Sequence, residues 1–332
     1  MPGKQKGKLS NLLTVPSPEA DDKLVNLADW VEVRSLLESD GHASQEDLVR
    51  ALLRDYSMVE STARSLAGDV FKELADRRRS CIPMSGKGDV WDYPFELNDS
   101  GNLLSCRAKP TSRSRMGTVY IFMLIASRAD MDSRRRTLGG LDPTQVFERL
   151  CADILLSFWG GKTEYSGSLV FGTARKKSGH NHKFESNIEE LCLKLQHEGG
   201  MKIGEKPPGA GDGKLDVVVW RVFPDRRAGG LFGFGQCKTG IHWKTHLTKL
   251  EPREFCRRYF QQPLIIDPVR VYMVPHRVNG SDWDHHTGEG GLLFDRCRLV
   301  QYGYDVSSEV LNECRDWLNA ALDQQKKGIF AL

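Results

Sequence analysis

Three residue types in a short span could together hold a cation and stabilise a developing negative charge. Asp216 opens the apolar run Val217–Trp220, and Gln236, Cys237 and Lys238 close the run that begins at Leu231. Pro224, Asp225, Gly229 and Gly230 lie between the two runs and mark a turn. Short apolar runs bounded by Gly and Pro predict buried strands. Side chains alternate along a strand, so Gln236 and Lys238 share one face and Cys237 takes the other. A carboxylate at the start of one strand then faces an amide and an ammonium at the end of its neighbour. Hydrolysing a phosphodiester needs a nucleophilic water, stabilisation of charge in the transition state and a proton for the leaving oxygen. A hard divalent cation and a fixed ammonium suit those needs.

The elements around these residues supply a further acid. Pro143 suits the first turn of a helix. Val146, Phe147, Leu150, Ile154, Leu155 and Phe158 then recur at helical spacing. Glu148 stands at the edge of that stripe, about 100° around from Phe147. A second amphipathic helix, Phe184 to Leu195, carries the rival acids Glu185 and Glu189, and Glu198 follows it in a turn.

Glu148 in VFERLCADIL, Asp216 in GDGKLD and Gln236-Cys237-Lys238 together resemble the PD-(D/E)XK nuclease superfamily. The likeness is to its Mrr-like form, in which glutamine replaces the second acid. It covers about a third of the chain. The resemblance implies an α/β restriction-endonuclease-like mixed sheet flanked by helices. It implies catalytic roles for Glu148, Asp216, Gln236 and Lys238. It also implies Mg²⁺, with Mn²⁺ as a substitute, on Asp216, Glu148, Gln236 and the Cys237 carbonyl. DNA is the implied partner, and prokaryotic restriction or antiphage defence the implied setting, with other defence subunits or a homo-oligomer. Losing one carboxylate should weaken metal affinity, so a nuclease fold that only binds or scaffolds DNA stays open. An effector that senses a small molecule is a third reading. Asp212 reads as a turn residue.

The remaining chain divides into a tail, an N-terminal domain and the nuclease-like domain, at 1–22, 23–138 and 139–332. Residues 24–79 predict three helices, the second opened by a cap at Ser44–Asp47 and the third by a box at Ser57–Glu60. A hairpin follows, Tyr93–Leu97 and Asn102–Arg107 around a turn at 98–101. Three helices and a hairpin give the order of a winged helix, with Arg64, Lys72, Arg107 and Lys109 as candidate phosphate contacts. Val119–Ala126 is expected as a buried strand. Ser166–Lys183 is expected as an exposed insertion, and its His180-Asn181-His182 is a weak zinc signal. Basic residues around Trp243, from His242 to Lys249, suit a surface that tracks a phosphate backbone. A helix from Pro252, strands at Val269–Val274 and near Leu292–Val300, and a helix from Ser307 to Leu322 complete the chain.

The totals set limits. The 332 residues carry a net charge of +3 and 39% hydrophobic residues, enough for two ordinary domains. A pI near 8.4 does not by itself argue for nucleic acid. Eight scattered cysteines without a CxxC pair, and no apolar leader, predict reduced thiols in the cytoplasm. The longest apolar run falls far short of the roughly 20 residues that span a bilayer, so no membrane partner is expected.

Overall fold

A computed structural model describes residues 12–81, 93–107, 114–129, 133–171, 184–194, 213–225, 227–262 and 264–329. The N-terminal region runs α1 (Lys23–Leu37), β1 (His42–Ser44), α2 (Gln45–Tyr56), α3 (Glu60–Ser80), β2 (Phe95–Leu97) and β3 (Leu103–Cys106). β3 lies between β1 and β2 and is antiparallel to both. Asn98 Oδ1 accepts the backbone N–H groups of Asn102 and Leu103, which closes the expected hairpin turn. At α2 the Ser44 hydroxyl accepts the Asp47 N–H and the Asp47 carboxylate accepts the Ser44 N–H, so aspartate completes the box. The box expected before α3 does not form. Ser57 instead ends α2 in the left-handed region (φ 49°), and Val59 takes the N-cap of α3 without a side-chain bond. Only Met58 separates Ser57 from that cap, and Ser57 serves as terminator of the preceding helix.

From residue 12 onward the expected tail is docked. Leu12 and Val15 are buried. Trp30 Nε1 donates to the Leu13 carbonyl (2.9 Å), and Tyr56 donates its hydroxyl to the Val15 carbonyl (2.8 Å).

Val119–Ala126 is not a strand. It belongs to helix α4 (Arg115–Ala126), opened by Ser114, whose hydroxyl accepts the Gly117 N–H. Every residue from Met116 to Ala126 is buried. An apolar run without polar alternation fits a wholly enclosed helix as well as a strand, and its length of twelve decides for the helix.

The second sheet follows α5 (Ser133–Arg136) and α6 (Pro143–Phe158). It is built from β4 (Ser166–Val170), β5 (Val217–Arg221), β6 (Leu231–Cys237), β7 (Val269–Met273) and β8 (Leu292–Phe294), in that spatial order. β4 to β6 form an antiparallel meander, while β7 and β8 run parallel to β6. α7 (Phe184–Lys194), α8 (Pro252–Tyr259), α9 (Trp283–Gly290), α10 (Arg296–Gln301) and α11 (Ser308–Ile329) complete the chain. The architecture is mixed α/β.

Two expectations change here. Residues 166–170 are the edge strand β4, because Gly167 lets the Trp220 indole of β5 lie across it. A Cβ at Gly167 would meet that ring at 2.4 Å. His180 and His182 lie outside the described residues. The strand expected to reach Val300 stops at Phe294, because the Asp295 carboxylate accepts the Arg298 N–H and starts α10.

One face of the large sheet packs on α6, with α4 and α11 behind. That core is continuous with the N-terminal helices and runs from Leu27, Trp30 and Phe71 to Phe147, Leu155 and Trp317. It therefore crosses position 139. The other face carries two clusters, one under α7 and α8 and one under α9.

A buried ion cluster joins the N-terminal helices to the sheet. Arg296 grips both Asp29 oxygens (2.8 and 2.9 Å) and donates Nε to the Pro275 carbonyl (2.9 Å). Arg77, in the last turn of α3, is fully buried. It bonds Asp29 (2.6 Å), Glu32 (2.9 Å) and the Val25 carbonyl (2.7 Å). Tyr93 and Tyr120 both donate hydroxyls to Glu32 Oε1 (2.6 and 2.8 Å). Two guanidinium groups thus face the carboxyls of Asp29 and Glu32. Burial raises the Asp29 pKa, but Arg296 and Arg77 outweigh it and hold the carboxyl well below the usual range.

Candidate active site

Register brings the acid and the amide together. Val217 pairs with Gly235, so Asp216 stands across from Gln236. Asp216 donates its N–H to the Gly235 carbonyl (2.9 Å), and its own carbonyl accepts the Phe171 N–H (2.8 Å). The residue is therefore fixed on both sides, by β6 and by the end of β4. Its Oδ2 accepts the Cys237 backbone N–H at 2.7 Å, and Lys238 Nζ lies 3.7 Å from the same oxygen. Lys238 is anchored in turn by its N–H on the Met273 carbonyl of β7 (3.0 Å). Asp216 is 5% exposed, while the Lys238 side chain is 28% exposed. The ammonium thus sits at the mouth of the site and the carboxylate behind it.

Gln236 is the unusual member. It is fully buried, and neither its Oε1 nor its Nε2 has a hydrogen-bond partner among the described residues. It shares a face with Phe232 and Phe234 and pairs with Tyr272, so it falls in the seam between the two clusters on that face. An enclosed amide without partners costs about 1–3 kcal/mol. That cost is the kind a functional group carries.

Glu148 arrives from the opposite face. Leu155 packs over Gly235, whose missing side chain leaves room for the Met273 methyl; a Cβ there would meet Met273 Cε at 2.6 Å. The thiol of Cys151, one turn earlier, lies close enough to that of Cys237 to interact with it. Four helical residues advance about 6 Å, and two strand residues advance nearly the same. α6 therefore tracks β6 in step, and Glu148 reaches the level just past Cys237, at the sheet end. Burial pushes the Cys237 thiol far up, and Cys151, Asp216 and Glu148 push it further. Both carboxylates thus act on one thiol. Cys237 itself faces α6 as a packed core group. Glu148 is buried, at 8% exposure. Of its rivals, Glu189 is exposed, while the Glu185 side chain and Glu198 lie outside the described residues, as does Asp212.

A basic rim surrounds the mouth. Burial, then Lys249, Lys238, Lys214 and His242, lower the pKa of His246, which puts these cations around one ring. Lys214 adopts φ 68°, a left-handed conformation for a non-glycine residue, two positions before Asp216. Trp243, expected on a surface that tracks a phosphate backbone, is instead 4% exposed. Its ring packs against Tyr272 and His286, and its carbonyl accepts the Tyr272 hydroxyl (2.8 Å). The single 3-10 turn it opens, Trp243–His246, is pinned by Lys244 on Asp22 (2.8 Å).

No known family, curated protein or solved structure matches this chain. Among the described residues no helix is long and apolar enough to cross a membrane, and no trio of His, Cys, Asp or Glu is grouped as for a metal. The donor set at the sheet end draws instead on two acids, one amide oxygen and one backbone carbonyl. All are hard oxygen donors, and the Gln236 amide has no partner among the described residues. These residues fit Mg²⁺ or Mn²⁺ better than a softer ion.

The sequence singled out Glu148, Asp216, Gln236 and Lys238 but not His276, which lies beside them. Its Nε2 lies 2.9 Å from the Thr239 carbonyl. The only signal is positional: β7 runs parallel to β6 with Met273 beside Cys237, so the residues just past both strands meet.

Proposed function

We propose that this protein is a divalent-metal-dependent DNA endonuclease of the PD-(D/E)XK kind. The observation that carries the reading is the convergence of Asp216, Gln236 and Lys238 on one face at one end of the sheet, with Glu148 brought to the same end by α6. The helix with its acid, the strand opened by Asp216 and the next strand closed by Gln-Cys-Lys follow the order the resemblance implies. A mixed sheet covered by helices on both faces is compatible with a restriction-endonuclease-like core.

Asp216, Glu148, Gln236 Oε1 and the Cys237 carbonyl would hold the cation. When bound, it supplies polarisation of the scissile phosphate and acidification of a water. Lys238 places a positive charge at the mouth, where a phosphate would rest and where charge develops in the transition state. The Cys237 N–H keeps the Asp216 carboxylate oriented. Lys214, His242, His246 and Lys249 line the approach and would engage neighbouring phosphates. Such contacts give affinity without sequence readout.

The N-terminal region has the helix–strand–helix–helix–hairpin order of a winged helix. We read it as a brace and not as a DNA reader. Arg64 is paired with Glu60 and Glu46, Lys72 with Asp69 and Arg107 with Glu96, so these expected phosphate contacts already have anionic partners. Lys109 lies outside the described residues. A role in prokaryotic restriction or antiphage defence, and assembly with other subunits or a second copy, rest on the resemblance alone.

The competing reading is a nuclease fold that binds DNA without cutting it. Complete burial of Gln236 favours it, because nothing reaches that amide without movement of the seam around it. Incubation with supercoiled plasmid, single strands and RNA, with and without Mg²⁺ or Mn²⁺, separates the two. Metal-dependent nicking supports the nuclease; salt-sensitive binding without cleavage supports the binding protein.

A further inference from the structure

The residues just past β6 are held from behind. Lys238 ends the candidate motif, and Thr239 is the first residue after it. The Thr239 carbonyl meets His276 Nε2 at 2.9 Å. A carbonyl can only accept, so this bond requires the hydrogen on Nε2. His276 is itself fixed. Its carbonyl accepts the Arg296 N–H (3.0 Å), and Arg296 Nε donates to the adjoining Pro275 carbonyl (2.9 Å). Arg296 is fully buried and clamped by both oxygens of Asp29 on α1. An unbroken series of bonds therefore runs from the N-terminal helix, through Arg296 and the 275–276 backbone, to the residue beside Lys238. A second tie, Lys244 on Asp22, reaches the same loop from the start of α1.

We propose that His276 is a positioning residue for Lys238. By holding the Thr239 carbonyl it fixes the backbone that aims the ammonium, and it passes the rigidity of the buried Asp29–Arg296 pair to the site. This rests on the nuclease reading for its catalytic consequence, though not for its structural one. It also gives the N-terminal region a task consistent with its paired surface cations: it holds the catalytic loop.

The test uses the full chain with His276→Leu, which removes the donor at similar bulk, and His276→Gln, whose amide N–H occupies a similar place to Nε2. Single-turnover cleavage of supercoiled plasmid in Mg²⁺ is measured beside anisotropy binding of a labelled duplex in Ca²⁺. Hydrogen exchange of the amides from 238 to 246 is followed in parallel. We expect His276→Leu to slow cleavage by about tenfold to a hundredfold, the usual consequence of misplacing a reacting group by about 1 Å. Duplex affinity should stay unchanged and exchange over 238–246 should rise, with both defects reversed in His276→Gln. Wild-type rate and exchange in His276→Leu would overturn the inference while leaving the nuclease reading intact. Equal loss in both variants would show a merely structural role and also overturn it. If the wild-type chain itself does not cleave, the nuclease reading fails, and exchange alone decides: faster exchange in Leu restored in Gln upholds the positioning, and unchanged exchange ends it.

Discussion

Two polar regions lie inside this protein, and they are built on opposite rules. Around Arg77 and Arg296 the buried carboxyls of Asp29 and Glu32 are met by guanidinium or hydroxyl donors. At the sheet end Gln236 is as deeply buried, yet its amide has no partner among the described residues, and an ammonium stands at the mouth. Burying polar groups is tolerable when they are satisfied and costly when they are not. The first region is thus organised for the integrity of the fold. The second tolerates a deficit, as sites that must receive something from solution do. The contrast also separates roles that composition merges, because Arg77 and Lys238 are both cations near acids and only one is open to a substrate.

The contrast can be broken most forcefully at the ion cluster. Arg296→Met should destabilise the chain by about 3–5 kcal/mol, because it takes one of two cations from the buried Asp29 carboxylate and leaves Oδ2 without its guanidinium donor. Denaturant unfolding would register this, and an unchanged midpoint would mean that the cluster is not the interlock described here.

Gln236→Leu should act in the opposite direction. Replacing the orphaned amide by an apolar group of similar size should raise stability by about 1–3 kcal/mol. The same change should abolish cleavage. A variant that is both less stable and still active would remove the distinction between the two regions.

Acidity offers a smaller test. Burial, then Arg296, holds the His276 pKa down at about 4, from an ordinary 6.5. Below pH 6.5 the unfolded chain takes up a proton that the folded chain refuses, so stability falls as pH drops from 6.5 towards 4. Asp29 adds to the loss further down, because its depressed pKa stabilises the fold above the ordinary carboxylate range and that contribution fades as pH falls through it. Melting temperature against pH should slope less steeply between 6.5 and 4 in His276→Gln than in the wild type. Identical slopes would contradict the enclosed, neutral histidine.

The smallest effects concern the rim. Lys214→Ala and Lys249→Ala should each weaken duplex binding and lower the slope of log affinity against log salt by about one. Arg64→Ala and Lys72→Ala should do neither. Equal effects from both pairs would restore the N-terminal helices as a DNA surface.

What could be read from the residues follows the same division. Asp216, Gln236 and Lys238 were legible because strand alternation and one turn set their facing. Glu148 was legible only as one of several acids, since helix periodicity gives an angle around an axis and not the strand it tracks. The step of Leu155 over Gly235 and Cys151 beside Cys237 needed the packed structure. Val119–Ala126 misled because total burial erases the alternation that separates helix from strand. β4 was hidden because Ser and Gly occupy an edge strand whose pairing depends on Trp220, more than fifty positions on. The ion cluster was invisible for a related reason: Asp29, Arg77 and Arg296 are remote in the chain, and charged residues are expected outside.

The most direct test of the central claim is nicking of supercoiled plasmid DNA by the purified chain in Mg²⁺, compared with Asp216→Ala and Lys238→Ala. Both variants should melt within a few degrees of the wild type, and about 2.7–4 kcal/mol of lost transition-state stabilisation should leave them at least a hundredfold slower. Folded variants that nick as fast as the wild type would contradict the account.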